Sequence, residues 1–253
     1  MKIEIHQPLS IFAQGVRDNM EDCILPAHGK AAASDKWFVV CDGMGGHVRG
    51  EIASNLVCKG FDEYFSANPF QLPGDSYFPG AFNHVQEALD GYISRYRDTR
   101  GMGTTVVLAF ICDRGIHVMH CGDSRLYHFR GNDLIWRTLD HNMANELVRK
   151  GNISLEEAMR FPKSNVITRA MQGNNVAKTS PDIHLLQDLR AGDYLFLCTD
   201  GITDGISDNQ LTEIIASDSS DAEKISLIES LCEGNSGDNY SAFLIRLKQV
   251  KND

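Results

Sequence analysis

Apolar residues along this chain follow two spacings, and the first of them predicts strands. Continuous apolar runs bounded by turn residues are typical of strands that are buried on both faces. Such runs cover residues 37–41, 104–112, 195–198 and 242–247. From residue 116 to residue 138, short strand-like segments are separated by glycine-containing turns. Consecutive strands joined by tight turns indicate an antiparallel meander.

The second spacing, of three and four residues, predicts amphipathic helices. The predicted helices cover residues 52–64, 81–96, 142–151, 154–160, 209–216 and 222–232. Ser154 precedes Glu157 by three residues, the spacing of a capping box at a helix start. The Pro- and Gly-containing stretch at 68–80 predicts a loop. Because the helices come in pairs and the strands in meanders, we expect an α+β fold with antiparallel sheet flanked by helices in layers.

The acidic charge of the chain is concentrated in one segment. The 253 residues contain 34 Asp and Glu against 24 Lys and Arg, a formal net charge of −10. Residues 193–238 hold eleven acidic residues and one basic residue, so the rest of the chain is balanced. A nucleic-acid-binding protein needs an excess of Lys and Arg to displace counterions. We therefore expect no nucleic-acid partner.

The cysteines and the N-terminal sequence indicate the compartment. No two of the seven cysteines form a Cys-x-x-Cys pair, and most lie in apolar runs, as expected of buried reduced thiols. The N-terminus does not resemble a signal peptide, and no segment approaches the roughly 20 apolar residues of a membrane span. We therefore expect a protein of the reducing cytoplasm, without a membrane partner.

Four aspartates stand at the ends of predicted strands. Asp42, Asp123 and Asp200 each follow an apolar strand, and Asp238 precedes the last one. Carboxylates at strand ends are rigidly held at a sheet edge, and several of them suit a hard cation, Mg²⁺ or Mn²⁺, which takes oxygen ligands. The alternative is that each Asp is a turn residue or a helix N-cap. The spacing alone does not decide between these interpretations.

Short motifs occur along the chain in a specific order. They are Arg at 17 with Glu-Asp at 21–22, Asp-Gly-Met-Gly-Gly-His at 42–47, Gly-Thr-Thr at 103–105, Gly-Asp-Ser-Arg at 122–125, Asp-His at 140–141, Thr-Arg-Ala at 168–170, Thr-Asp-Gly at 199–201 and Gly-Asp-Asn at 237–239. The ordered series resembles that of the bacterial PPM family, the Mg²⁺- or Mn²⁺-dependent Ser/Thr protein phosphatases. The resemblance extends over nearly the whole chain.

The resemblance implies a single domain over residues 1–253, built as a four-layer αββα sandwich with a flap subdomain at about 140–173. It implies hydrolysis of phosphoserine and phosphothreonine in phosphoproteins by a water that bridges two metal ions, in opposition to a bacterial Ser/Thr kinase. Two divalent ions lower the pKa of such a water and stabilise charge during displacement at phosphorus. No nucleophilic side chain is then needed.

The metal ligands implied by the resemblance are carboxylates and one backbone carbonyl. The implied set is Asp42 as the bridging ligand, Asp200 and Asp238 at the first ion, Glu21 and the Gly43 carbonyl at the second, Asp123 at a third and weaker ion, and Asp22 behind the ligands as an orienting group. Gly43 is expected because a side chain there would crowd the ion. For Asp123 the alternative is an ion pair with Arg125.

The resemblance also implies which residues handle the substrate. Arg17 would clamp the phosphate with its planar guanidinium, and the alternative is a structural ion pair with Glu21 or Asp22. Eukaryotic relatives have a His directly after the Asp-Gly pair as the proposed proton donor to the leaving alkoxide. This chain has Met44 there, which has no proton to donate. His47 and a metal-bound water stay open as donors.

Two other functions also stay open. A catalytically inactive relative that serves as a binding module would have lost metal carboxylates, and here they are all present. A phosphohydrolase that acts on a small molecule is disfavoured because the glycine-rich run at 42–47 lacks the Lys of a phosphate-binding P-loop.

Overall fold

Two antiparallel sheets form the centre of the structure, a computed structural model that describes residues 1–44, 49–70, 76–158, 166–173 and 179–251. The strands within these ranges are β1 (Lys2–Ile5), β2 (Leu9–Ala13), β3 (Asp22–Leu25), β4 (Trp37–Met44), β5 (Gly103–Thr104), β6 (Val106–Cys112), β7 (Gly115–Cys121), β8 (Arg125–Arg130), β9 (Asp133–Arg137), β10 (Met171–Gln172), β11 (Asp182–Leu186), β12 (Tyr194–Cys198) and β13 (Tyr240–Lys251).

The helices pack outside the sheets. In the described ranges they are α1 (Gly50–Ala67), α2 (Tyr77–Arg95), α3 (Met143–Arg149), α4 (Leu155–Ala158), α5 (Asp200–Gly205), α6 (Asp208–Ala216) and α7 (Asp221–Asn235). Capping boxes at Ser207 and Ser220 start α6 and α7 by satisfying free backbone N–H groups. The predicted box at α4 is present too: the N–H of Ser154 donates to Glu157 at 2.7 Å, and the N–H of Glu157 donates back at 3.2 Å.

The strand orders show how distant segments become neighbours. The first sheet has the order β1-β13-β12-β8-β9, with β2 also paired to β13. The second has the order β10-β5-β4-β6-β7-β11, with β3 beside β4. Every strand pairing among the described residues is antiparallel. The start of β13 thereby lies near the end of β12, although about forty residues separate them along the chain.

Apolar side chains fill the spaces between four layers of secondary structure. Phe38 and Val40 of β4 pack against the first sheet, whereas Val39 and Cys41 pack against α1 and α2. A third apolar cluster lies between the first sheet and the helices α5, α6 and α7. Because both faces of β4 are buried, its sequence is a continuous apolar run. Burial of each such large side chain contributes about 2 kcal/mol.

Most elements predicted from the sequence are observed, with two kinds of correction. The predicted loop at 68–80 is wrong at its end, because α2 begins at Tyr77 and places Pro79 in its first turn, where the missing N–H of proline costs little. The pattern gave no sign of β1, β2, β3, β10, β11 or α5. These elements have six residues or fewer, too few to show a period, and none is wholly apolar like the equally short β12.

Candidate metal centre

The predicted carboxylates meet at one end of the sheet sandwich. Asp42 lies in β4 opposite Asp22 of β3 in the antiparallel register. Asp200 is the first residue of α5, two residues after the end of β12, and Asp238 lies two residues before β13. The prediction that Asp42 follows its strand is wrong, because β4 continues to Met44. The predicted positions of Asp200 and Asp238 beside their strands are confirmed.

Tight backbone contacts bring these elements together. Gly201, in the first turn of α5, packs so closely against the Asn239 carbonyl that a Cβ would overlap it. The Gly-Thr-Thr motif holds the backbone of Asp42. The N–H of Thr105 and the hydroxyl of Thr104 each donate to the Asp42 carbonyl at 2.8 Å, and the N–H of Asp42 donates to the Thr105 hydroxyl at 3.1 Å.

The carboxyl groups of Asp42 and Asp200 are close enough for each to change the pKa of the other. Burial, and then the charge of Asp200, raises the pKa of Asp42 well above its ordinary value. Burial also raises the pKa of Asp200 and raises that of Asp22 to about 7. Oδ1 of Asp200 is buried and has no hydrogen-bond partner within the described ranges. Buried carboxylates that face each other are stable as anions only beside positive charge.

Asp123 faces a cavity of about 230 Å³ that Asp200 also lines. Burial, followed by the charge of Asp200, raises the pKa of Asp123 to about 7. Its Oδ1 is buried, and nothing in the described part of the chain donates a hydrogen bond to it. The alternative ion pair with Arg125 is not observed. Arg125 instead forms a two-pronged pair with Asp140, at 2.8 and 2.7 Å.

Glu21 and Gly43 meet beside the start of α1. The N–H of Gly43 donates to the Glu21 carbonyl at 3.1 Å, and a Cβ on Gly43 would overlap the carbonyl oxygens of Gly50 and Glu21. Close backbone packing therefore already requires glycine here, a reason that the sequence did not reveal. Burial, and then the charge of Glu51, raises the pKa of Glu21. Oε2 of Glu51 is buried and unpartnered among the described residues.

Arg17 lies on the loop before β3 with 53% of its side chain exposed. Its Nη2 lies 2.7 Å from Oδ2 of Asp238, and its Nε donates to the Gly237 carbonyl at 3.0 Å. The alternative ion pairs with Glu21 and Asp22 are not observed. One carboxylate of the site thus anchors a guanidinium that still reaches solvent. Such a group can offer paired donors to phosphate oxygens.

Asp22 lies behind this group of carboxylates. It is 3% exposed, and its Oδ2 accepts a hydrogen bond from the Thr199 hydroxyl at 3.0 Å. Thr199 directly precedes Asp200, so Asp22 contacts the segment that carries a predicted ligand. This position fits an orienting role. Asp22 is not exposed to a substrate.

Together these residues fit divalent cations. Every donor is an oxygen, from a carboxylate or from the Gly43 carbonyl, as Mg²⁺ and Mn²⁺ prefer. The unpartnered buried oxygens of Asp123 and Asp200 are groups that a cation would satisfy. The role of each predicted ligand stays a prediction. His47, the candidate proton donor, lies outside the described residues.

A second group of potential ligands, His120, His141 and Asp182, does not fit a metal ion, although its donor atoms lie within 4.8 Å of one another. The two imidazole rings stack in parallel, with centroids 4.6 Å apart and planes 6° apart. Since ring-nitrogen lone pairs lie in the ring planes, they do not converge on one point. Asp182 is also paired with both Arg149 and Arg169. The cluster joins β7 and β11 to the flap segment, defined as the described residues 140–158 and 166–173.

Sequence reasoning gave Asn239 no role, although it lies in the Gly-Asp-Asn motif. Its Nδ2 donates to the carbonyls of Gln14 and Asn19 at 2.7 and 2.9 Å, and its Oδ1 accepts the N–H of Glu21 at 2.8 Å. Asn239 therefore holds the loop that carries Arg17 and Glu21. The signal that could have identified it is its position directly after a predicted ligand.

Comparisons with known proteins agree with the fold and the site. The family model described as Protein phosphatase 2C matches residues 27–224. The protein phosphatase PhpP of Streptococcus pneumoniae is 32% identical over 238 residues, which are 92% of this chain and 94% of PhpP. The chain therefore belongs to the protein phosphatase 2C family. This confirms the family that the motifs predicted.

A solved structure confirms the four-layer sandwich. The crystal structure of the catalytic domain of the serine/threonine phosphatase PstP with two manganese ions has a TM-score of 0.77 and 27% identity, covering 98% of this chain and 100% of that domain. Full-length PstP of Mycobacterium tuberculosis is 31% identical over 228 residues, 89% of this chain but 42% of PstP. The chain thus spans less than half of that relative. Among the described helices, none is both long and apolar enough for a bilayer.

Proposed function

We propose that this protein is a metal-dependent phosphatase that hydrolyses phosphoserine and phosphothreonine in proteins. The observation that carries the proposal is that Asp200 and Asp123, close to Asp42, each have a buried carboxylate oxygen with no hydrogen-bond partner among the described residues. Such a group of buried oxygens is stable in its ionised form only beside positive charge, which divalent cations supply. Family membership supports the reaction class, and PhpP and PstP are both named as protein phosphatases.

The site is proposed to hold two divalent ions, Mg²⁺ or Mn²⁺, and a third that binds more weakly. The proposed ligands are Asp42, Asp200 and Asp238 for the first ion, Asp42, Glu21 and the Gly43 carbonyl for the second, and Asp123 with Asp200 for the third. The two manganese ions in the PstP structure support this assignment. When bound, such ions act as Lewis acids and lower the pKa of a coordinated water toward neutrality.

The protein's own groups then position the substrate. Arg17 binds the phosphate through guanidinium donors that face solvent, and its pair with Asp238 keeps that fork beside the carboxylates. Asp22 fixes the Thr199–Asp200 segment from behind. Met44 does not protonate the leaving alkoxide. If His47 does so, His47→Ala slows phosphoserine hydrolysis but not that of an aryl phosphate, whose leaving group needs no proton.

The proposed substrates are phosphoproteins, and the proposed cellular role is to oppose a Ser/Thr kinase. We propose a cytoplasmic location because all seven cysteines are free thiols, as a reducing compartment maintains them. The proposed organisation is a single domain over residues 1–253 with a flap subdomain at about 140–173. The bridge between Asn142 and Ile167 supports the flap subdomain, because it joins the two described parts of that segment.

The test is hydrolysis of p-nitrophenyl phosphate and of a phosphothreonine peptide, with and without Mn²⁺. We expect metal-dependent turnover of both, and a loss of more than about 100-fold in Asp42→Asn, because even residues behind the ligands cost 10–100-fold when replaced. The matched control is Asp113→Asn on the exposed turn between β6 and β7, which should retain full activity. No turnover with metal indicates a binding module, and turnover of the aryl ester alone indicates a small-molecule enzyme.

A further inference from the structure

The turn that presents Asp123 is held on one side by the strand that carries Asp42. Gly122 follows β7 with a φ of +122°, and a Cβ there would lie 2.6 Å from the Thr105 side chain. The hydroxyls of Ser124 and Thr105 share a hydrogen bond of 2.6 Å. Thr105 also bonds the backbone of Asp42. The turn is therefore fixed relative to β4.

His141, in the flap segment, holds the other side of the same turn. The N–H of Gly122 donates to Nδ1 of His141 at 3.1 Å, and the N–H of His141 donates to the Gly122 carbonyl at 2.9 Å. The carbonyl of His141 accepts the N–H of Thr168 at 2.7 Å. The side chain of His141 is completely buried. Nδ1 and the backbone N–H of His141 thus both form hydrogen bonds with Gly122, the residue before Asp123.

The other ring nitrogen of His141 connects this turn to the rest of the flap segment. Because Gly122 donates to Nδ1, we assign the ring proton to Nε2, which lies 3.3 Å from Oδ2 of Asp182 and 3.4 Å from Nη1 of Arg169. Arg169 binds Asp182 at 3.0 Å and Glu146 of α3 at 2.9 Å. Burial lowers the pKa of His141 to about 4, so the ring is neutral near pH 7 and keeps an acceptor at Nδ1.

We propose that His141 is a positioning residue that holds the turn at Gly122 so that the Asp123 carboxylate faces the ion cavity, and thereby couples the flap segment to the metal centre. Groups behind a ligand orient it and affect metal affinity. The inference rests on the proposed function for the role of Asp123. It concerns a different residue from those that contact the ions or the substrate.

Two substitutions at His141 separate positioning from simple filling of the core. His141→Asn keeps an acceptor near the position of Nδ1, whereas His141→Gln leaves the Gly122 N–H without its partner. We expect His141→Gln to weaken Mn²⁺ binding at the weakest site about 10-fold by calorimetry, and His141→Asn to keep it close to wild type. Hydrogen exchange of the Gly122 amide should accelerate in the Gln variant only. Equal effects of the two substitutions overturn the proposal.

A double-mutant cycle tests whether His141 acts through Asp123. In an Asp123→Ala background, His141→Gln should weaken Mn²⁺ binding no further, since the positioned ligand is gone. An undiminished further loss overturns the proposal. The matched control is His184→Gln on β11, a ring that stacks on Trp136 and should leave Mn²⁺ binding unchanged. Because Mn²⁺ binding and amide exchange are read without substrate, failure of the coupling is distinguishable from failure of the phosphatase activity.

The wild-type protein provides a measurement that does not depend on folding of the variants. In a Mg²⁺ titration followed by NMR, the ring nitrogen signals of His141 should shift with the midpoint of the weakest ion, because an ion at Asp123 adds positive charge beside the turn that His141 holds. Signals that do not move with that midpoint overturn the proposal. The ring of His128, which pairs with Asp193, serves as the internal control and should not shift.

Discussion

Replacement of Asn239 by Ala should destabilise the protein and impair its site together. The side chain is 3% exposed and makes three hydrogen bonds to the loop at residues 14–21. Gln14 and Asn19 are exposed, so water replaces two lost bonds at about 0.5–1 kcal/mol each. The N–H of Glu21 is half-buried, and its lost bond costs about 1–3 kcal/mol. The expected loss is therefore about 2–5 kcal/mol, a large part of a typical total of 5–15 kcal/mol.

Urea unfolding measures this loss directly. We expect the midpoint to fall with an unchanged m-value, because the compactness of the unfolded chain is not altered. The matched control is Asn235→Ala at the end of α7, where an exposed amide makes one bond of 2.8 Å to the Leu231 carbonyl. An exposed substitution of this kind changes stability by about 0.5 kcal/mol or less.

The same variant should also affect the chemistry, since the released loop carries Arg17 and Glu21. We expect a higher KM for a phosphopeptide and weaker Mn²⁺ binding, each measured under conditions in which the variant is folded. The reasoning is refuted if Asn239→Ala loses no more stability than Asn235→Ala. It is also refuted if KM and Mn²⁺ affinity both equal those of the wild type.

Three further predictions concern single residues of the site. Because the pKa of Asp123 is raised to about 7 in the folded protein, its carboxyl loses its proton, and destabilises the fold, as the pH rises through about 7. In urea unfolding without metal, the free energy of unfolding of Asp123→Asn should therefore exceed that of the wild type by up to about 4 kcal/mol near pH 8 and by almost nothing near pH 4. An equal difference at both pH values contradicts this. Gly43→Ala forces backbone apart at Gly50 and should abolish Mn²⁺ binding in calorimetry, so a wild-type affinity counts against the contact. Arg17→Ala should raise KM for a phosphopeptide about 10–100-fold. Mn²⁺ affinity should not fall, since the substitution only removes a cation that competes for Asp238, and a reduced affinity contradicts the role of Arg17 in phosphate binding.

The pattern of the sequence was informative where an element is long or buried on both faces. The helix period predicted α1 and α2, and the apolar run predicted β4, because these features depend on local spacing. The short strands β1, β2 and β3 left no such signal. Each is recognisable only by its pairing with β13 or β4, which lie far away or beyond a loop in the sequence.

For the site, the chemistry of single residues was predictable and their partners were not. The motifs identified Asp123 and Arg17 as functional candidates. They predicted neither the cavity that Asp123 lines nor the ion pair between Arg17 and Asp238. Both depend on which carboxylate the fold brings near each guanidinium. Arg125 illustrates this, because it pairs with Asp140, fifteen residues away, and not with Asp123, two residues away.

The sequence by itself determined the family, the layered architecture and the set of carboxylates, because residue type and order along the chain define them. Only the tertiary structure decided how those carboxylates are held. Asn239 reaches back more than two hundred residues to the Arg17 loop, and His141 connects the flap segment to the turn at Gly122. Contacts of this kind arise from strand order and burial in three dimensions, and a one-dimensional pattern does not encode their distances.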